Sequence, residues 1–367
     1  MRRNRDMQNE RIRILTLLEE GKITADEALK LLEAIGKDSK STVEDEKTSA
    51  DDFFEDIRKE FMTAGNRFMH FMDTAVHRVK EFDFEAPFSK SVAFTHIEKK
   101  PAEDIEDLII HIDHGAVEVH PSEDDEITAK FSVKHFNNDS EAGALSQFLD
   151  KLLFVKDGKK LRISSDLKML QVNLQLYVPT KLYGKLSVRL LNGGCSIEGI
   201  QCNELRIKTA NGKIECADIK FDEAEIQTAN GMVRLLKVQG NKLETETLNG
   251  RVYVDGELVD IEAKSLNGNV ALTTTSAKAR SLDAKSISGA VELYFPSSLA
   301  VKGEITSNMG KLDLQLKDVS RVEEQEQFLH RTIRFSKTGE TEERAPITII
   351  GESKTGSVMV RYNSVEI

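Results

Sequence analysis

Four histidines and one aspartate crowd a single stretch of the sequence: His111, Asp113, His114, His120 and His135. Imidazole nitrogens beside a carboxylate are the ligand set of zinc and related metals. On a strand with period-two alternation, His111 and Asp113 share a face. Their spacing is sparse, however, and no second ligand motif follows. The bland reading is polar side chains on the face of a strand. Three thiols, Cys195, Cys202 and Cys216, are the next reactive groups. They cannot all pair with one another and show no CxxC spacing, which predicts a reducing compartment and buried thiols rather than a disulfide frame. Asn192-Gly193-Gly194 is rich enough in glycine to suggest a phosphate cradle. No GxxxxGK[ST] loop, GxSxG elbow, HExxH helix or calcium-binding GGxGxDx run occurs. No catalytic, cofactor-binding or metal-binding residue is assigned, and no enzyme activity is expected.

The elements that position these residues explain most of them. Turn dipeptides fall at Asn192-Gly193, Asn211-Gly212, Asn230-Gly231, Asn249-Gly250, Asn267-Gly268 and Ser288-Gly289, at spacings of 19, 19, 19, 18 and 21. Aligning the copies on the turn gives apolar columns. Three positions later stand Cys195, Ile214, Val233, Val252, Val270 and Val291; five later, Ile197, Cys216, Leu235, Val254, Leu272 and Leu293. Six positions earlier stand Leu186, Leu205, Ala224, Leu243, Ile261 and Leu282. Polar residues alternate with them, the mark of a strand with one buried face. The same columns recur without inversion, so equivalent positions should stack in parallel. The expected fold is mainly β, a β-solenoid like a parallel β-helix with coils of about 19 residues, clearest over 186–293. Stacked asparagines should form an amide ladder, and the glycines should supply a positive φ. Cys195 and Cys216 then belong to the core and the Asn-Gly pairs to the turns; Cys202 is unplaced.

The pattern extends weakly upstream through 109–121 and 171–179, and downstream through 305–316 and 353–367. The solenoid domain is expected over 89–367, with a short helix near 139–152 and a hairpin or loop over 317–345. Before it, residues 7–36 read as a helical hairpin, with Gly21 and Gly36 ending its helices and Thr24 to Glu27 forming a capping box. It is too small to be stable alone, so it dimerises, docks, or folds back on its own chain. Residues 37–50 are a linker. Residues 51–82 form a long amphipathic helix with Phe53, Phe54, Ile57, Phe61, Phe68 and Met72 on one side. Three roles stay open for it: a membrane contact, a partner or dimer contact, or a cap on the solenoid end.

Composition narrows the function classes. The net charge of −11 argues against binding a phosphate backbone. The absence of Trp weakens a polysaccharide enzyme, which needs aromatic platforms and paired carboxylates. No apolar h-region follows MRRNRDMQNERIR and no 18-residue apolar run occurs, so the expected location is the cytoplasm, with contact at the membrane periphery through the helices. The outward columns Arg189, Lys208, Gln227, Glu246, Lys264, Lys285 and Ser187, Arg206, Glu225, Glu244, Glu262, Asp283 should be solvated charge ladders.

The run LQLYVPTKLYGKLSVRLLNGGCSIEG, followed by KTANGKIE, QTANGMVR, ETLNGRVYV and KSLNGNVAL, resembles the bacterial β-strand-repeat "putative adhesin" family of the YvlB-like type. The front RIRILTLLEEGKITADEALKLLEAIG is similar to the SHOCT-like helical module of these proteins and to the front of LiaX-like surface proteins, which sense membrane-active antimicrobial peptides. The resemblance covers the chain apart from the linker and helix 51–82. It implies a role in the cell-envelope stress response of a Gram-positive bacterium, near membrane proteins of the phage-shock type. It brings no catalytic or ligand residues. The expected function is therefore a non-enzymatic interaction scaffold that binds a protein partner and forms a homo-oligomer. The rival is an exported surface adhesin or peptide sensor.

Overall fold

The computed structural model describes residues 91–136, 140–165, 170–327, 330–338 and 345–363. All belong to one compact unit of the chain, residues 70–367. The expected hairpin 7–36, linker 37–50 and helix 51–82 lie outside the described residues.

The protein is mainly β. Its repeat is a stack of parallel coils. Strand β8 (Leu182–Asn192) turns a corner into β9 (Cys195–Glu198), and β10 (Gln201–Asn211) into β11 (Ile214–Ala217). The next coils follow through β12 (Lys220–Asn230), β13 (Val233–Asn249), β14 (Val252–Asn267), β15 (Val270–Thr274), β16 (Ser281–Ser288) and β17 (Val291–Phe295). Each strand before a corner pairs in parallel with the equivalent strand of the next coil. Leu205 lies between Leu186 and Ala224, and Asn211 between Asn192 and Asn230. The three apolar columns are buried throughout and form one continuous core.

The uneven spacings have local causes. Gly199, Asp218 and Lys237 occupy equivalent corners in left-handed backbone, with φ of 67°, 52° and 52°. The register of β13 on β14 slips between Leu236 and Val238, so the shorter coil lacks this corner residue. The longer interval holds the extra segment between β15 and β16, whose register sets Asp260 against Ser281.

The Asn-Gly corner is set by close approach. A Cβ on Gly212 would lie 2.0 Å from the carbonyl oxygen of Gly193, and one on Gly231 1.9 Å from that of Gly212. The same holds up the stack at Gly250, Gly268 and Gly289. Gly193, Gly212 and Gly268 supply the expected positive φ, at 151°, 158° and 157°, but no positive φ occurs at Gly231 or Gly250. They are glycine because each coil rests on the backbone of the one before it. Two residues before every corner asparagine from Asn211 onward, a hydroxyl donates to that same carbonyl: Thr209 to Gly193 O and Thr228 to Gly212 O, both at 3.1 Å, and Ser265 to Gly250 O at 2.9 Å.

At both ends the coils leave chain order. Strands β2 (Asp107–His114) and β3 (Val117–Ser122) form a coil seated directly on β8 and β9. The chain then runs out through β4 (Glu126–Phe136), helix α1 (Glu141–Lys151) and β5 (Leu153–Asp157). It returns as β6 (Lys160–Ser165) and β7 (Leu170–Pro179) on the far side of β2 and β3. The other end repeats this device. Strands β18 (Val301–Ser307) and β19 (Leu312–Gln315) are outermost, and β22 (Ile347–Ser353) and β23 (Val358–Tyr362) slide between them and β16 and β17. Stacking in sequence order therefore holds only from β8 to β17.

Antiparallel strands close the stack. β1 (Ser91–Pro101) pairs with β4, and β4 with β7. The hairpin of β20 (Ser320–Gln327) and β21 (His330–Lys337), expected over 317–345, lies on β18. Helix α1 falls within the segment expected to be helical. It packs Phe148 edge-on against Phe94 and Phe131, at 5.8 and 5.6 Å between ring centres.

Gly231→Ala isolates the steric demand, because no left-handed φ is involved. The substitution should cost about 3 kcal/mol through forced backbone separation, read as a lower urea midpoint at unchanged slope. Gly158→Ala, whose added Cβ would meet nothing within 4 Å, should cost about 1 kcal/mol, from its φ alone.

Candidate functional site

The sequence-level metal candidates do not converge. His111 Nε2 lies 3.1 Å from Asp113 Oδ1, so the expected shared face exists. His120 instead stacks on Tyr177 and lies 3.6 Å from Glu118. His135 is held by the Phe136 carbonyl and Gln147, both at 2.8 Å. Among the described residues no three His, Cys, Asp or Glu side chains are grouped to hold a metal ion. All three cysteines are buried and free. Burial pushes the Cys195 and Cys202 thiols up to about 12 and Cys216 well above its ordinary value, so none is a thiolate at neutral pH. Cys202, unplaced by sequence, lies in the core.

The glycines of Asn192-Gly193-Gly194 are not a cradle, because coil-to-coil bonds use them. Gly193 N–H donates to Asn211 O at 2.7 Å, and Gly194 O accepts from Val117 N at 3.0 Å. Beside them runs the expected amide ladder. Asn267 donates to Asn249, Asn249 to Asn230 and Asn230 to Asn211, each at 2.8 Å, and Asn211 to Asn192 at 2.7 Å. All the amides point one way. The last, Asn192, meets His114 Nδ1 at 3.1 Å, where a neutral imidazole accepts its N–H. Burial lowers the His114 pKa against the pull of Asp113, which favours that neutral form.

The outward columns carry the site. Across the coils Glu225 is 2.7 Å from Lys208 and 3.7 Å from Arg206, while Glu204 pairs with Lys185 at 3.0 Å and with Arg206. Lys242 holds Glu244 and Lys264 holds Glu262, both at 2.6 Å. These behave as the expected charge ladders. Gln227 and Glu246 do not. They are neighbours on β12 and β13, only 9% and 7% exposed despite facing outward. The expectation of solvated side chains fails here; the adjoining column carries the apolar Ala229, Leu248 and Leu266. Burial raises the pKa of Glu246 against the opposing pull of Lys264. Asp283 is raised by the same cause. Gln227 Oε1 and Asp283 Oδ1 are buried without a hydrogen-bond partner. The centre of this face therefore holds acceptors in want of donors. A sequence signal existed: the residue just before each corner is apolar in every coil, although alternation assigns it outward.

These features define a stack of parallel β-coils with a polar, partly dehydrated outer face. Residues 105–348 match the model of the Toastrack DUF4097 family, and the chain belongs to that family. Residues 9–40 match a SHOCT-like domain. The chain is similar to "Uncharacterized protein YvlB" of Bacillus subtilis (strain 168), 40% identical over 366 residues, covering 97% of this chain and all of that one. Solved structures resemble it more distantly. A "putative adhesin" from Bacteroides fragilis has a TM-score of 0.39 at 12% identity, over 76% of this chain and 99% of that one. Another, from Parabacteroides distasonis, has a TM-score of 0.39 at 10% identity, over 73% and 97%. No residue role is carried over from either.

Glu246→Gln should stabilise the fold at neutral pH by about 1 kcal/mol, because it removes a buried charge and offers an N–H to Gln227. The sign follows from the raised carboxyl. Its ionisation costs stability as pH rises above its ordinary value of 4.5 through the folded value. Denaturation between pH 4 and 8 should show a shallower fall for the variant.

Proposed function

We propose that the protein is a non-enzymatic binding scaffold of the bacterial cell-envelope stress response. The outer face of the coils around Gln227, Glu246 and Asp283 binds a protein partner. The amino-terminal segments, residues 7–36 and 51–82, dock the scaffold or bring copies together. The partner is a membrane protein of the phage-shock type, and the scaffold works in the cytoplasm at the membrane periphery. The observation that carries this reading is a pair of buried, unpartnered acceptors, Gln227 Oε1 and Asp283 Oδ1, on a charged face. Such groups cost stability in the free protein and are relieved by donors from a partner. The SHOCT-like match over residues 9–40, ahead of the Toastrack DUF4097 match over 105–348, supports the same reading.

The test is capture from the native host under envelope stress, with mass spectrometry of what is retained. A membrane protein should be enriched by the natural chain and lost, at least tenfold, by the double variant Glu244→Lys/Glu262→Lys, whose melting temperature should stay within a few degrees. Equal capture by both would remove the face from the account. Protease shaving of intact cells separates this reading from an exported adhesin, since an intracellular scaffold is spared.

A further inference from the structure

The antiparallel strand β1 lies at one margin of the described sheet. Among the described residues, β1 pairs on one side only, with β4. The register fixes which backbone groups are unused. Ala102 N–H donates to Asp125 O at 3.0 Å, continuing the β1–β4 ladder by one residue. Antiparallel bonding alternates, so the even-numbered residues of β1 face β4 and the odd-numbered residues face outward. Pro101 is odd, so its missing N–H costs the β1–β4 ladder nothing. Among the described residues, four of the eight large exposed apolar side chains, Ile97, Leu149, Leu153 and Val155, come from segments at this end of the stack. Ile97, 55% exposed, stands on the open strand itself.

We propose that two copies of the chain join here, β1 against β1, into one continuous antiparallel sheet with the two-fold axis at Ile97. The sequence of the strand is self-complementary about that point. Ile97 meets the partner copy's Ile97 through a pair of backbone bonds. His96 falls opposite Glu98, and by symmetry Glu98 opposite His96. Phe94 falls opposite Lys100, and Thr95 opposite Lys99. No like charges meet. Axes at Glu98, Lys99 or Lys100 would each set a charge against its own copy, whereas the axis at Ile97 sets His96 against Glu98 on both sides of it. An isologous contact of this kind closes on itself and leaves no strand edge at the joint. The proposal is independent of the partner-binding face, which lies on other coils.

Sedimentation of the full chain over roughly 1–100 µM should show a monomer–dimer equilibrium. Ile97→Pro removes one outward N–H and leaves the β4 ladder intact, so it should give a monomer with unchanged circular dichroism. Glu98→Lys should weaken the dimer about tenfold or more, and His96→Glu/Glu98→Lys should restore it. If Ile97→Pro unfolds the protein, the charge-reversal pair decides alone. A natural chain that stays monomeric overturns the proposal. So does a dimer untouched by both Ile97→Pro and Glu98→Lys, which would place the contact in residues 1–90.

Discussion

Backbone against backbone at one corner is the constraint on which the rest depends. Each glycine carbonyl sits where the Cβ of the next coil's corner residue would be, so the coils pack as closely there as strands can. This row fixes the height of a coil and its rotation relative to its neighbours. The amide ladder and the hydroxyl row then satisfy the polar groups the corner leaves exposed. Each such hydrogen bond adds roughly 1 kcal/mol, and their alignment is possible only because the glycines hold the register. The apolar columns behind the corner follow from that register, since a slip of one residue would turn every core side chain outward.

The same row explains how the ends are built. Gly310 rests on Gly356 and Gly356 on Gly289, so the order of the glycines in space is not their order in the chain. The hydroxyls agree: Ser353 donates to Gly289 O at 2.8 Å and Ser307 to Gly356 O at 2.9 Å. Interleaving lets both ends of the stack finish in antiparallel strands, whose connections can fold over the core. A plain parallel coil would leave that core open. Phe148 of α1 fills this role at one end.

Much of this was legible in the residues. The repeat, the three core columns, the short helix and the late hairpin all follow from spacing and alternation. The burial of Cys195 and Cys216 follows from the columns they occupy. The order of the end coils was not legible from Asn-Gly spacing, because those corners lack the asparagine. A hydroxyl three residues before a glycine, as in Thr209 with Gly212, Ser307 with Gly310 and Ser353 with Gly356, marks the corner more faithfully. The site was half legible. Alternation put Gln227 and Glu246 on the outer face, but only their burial in the folded stack shows that they are dehydrated there. Cys202 sits at a bend where alternation breaks, so its burial needed the fold.

Engineered disulfides read the stacking order of the coils directly. Side chains on one face of adjacent parallel strands stand about 4.8 Å apart, within reach of a disulfide. Asp283 and Ile350 are such neighbours, as are Ile350 and Glu304. Asp283→Cys/Ile350→Cys should oxidise to a crosslinked chain, visible as a mobility shift reversed by reductant. Asp283→Cys/Glu304→Cys should not, because β22 stands between them. A crosslink in the second variant and none in the first would mean that the coils stack in chain order, contrary to this account.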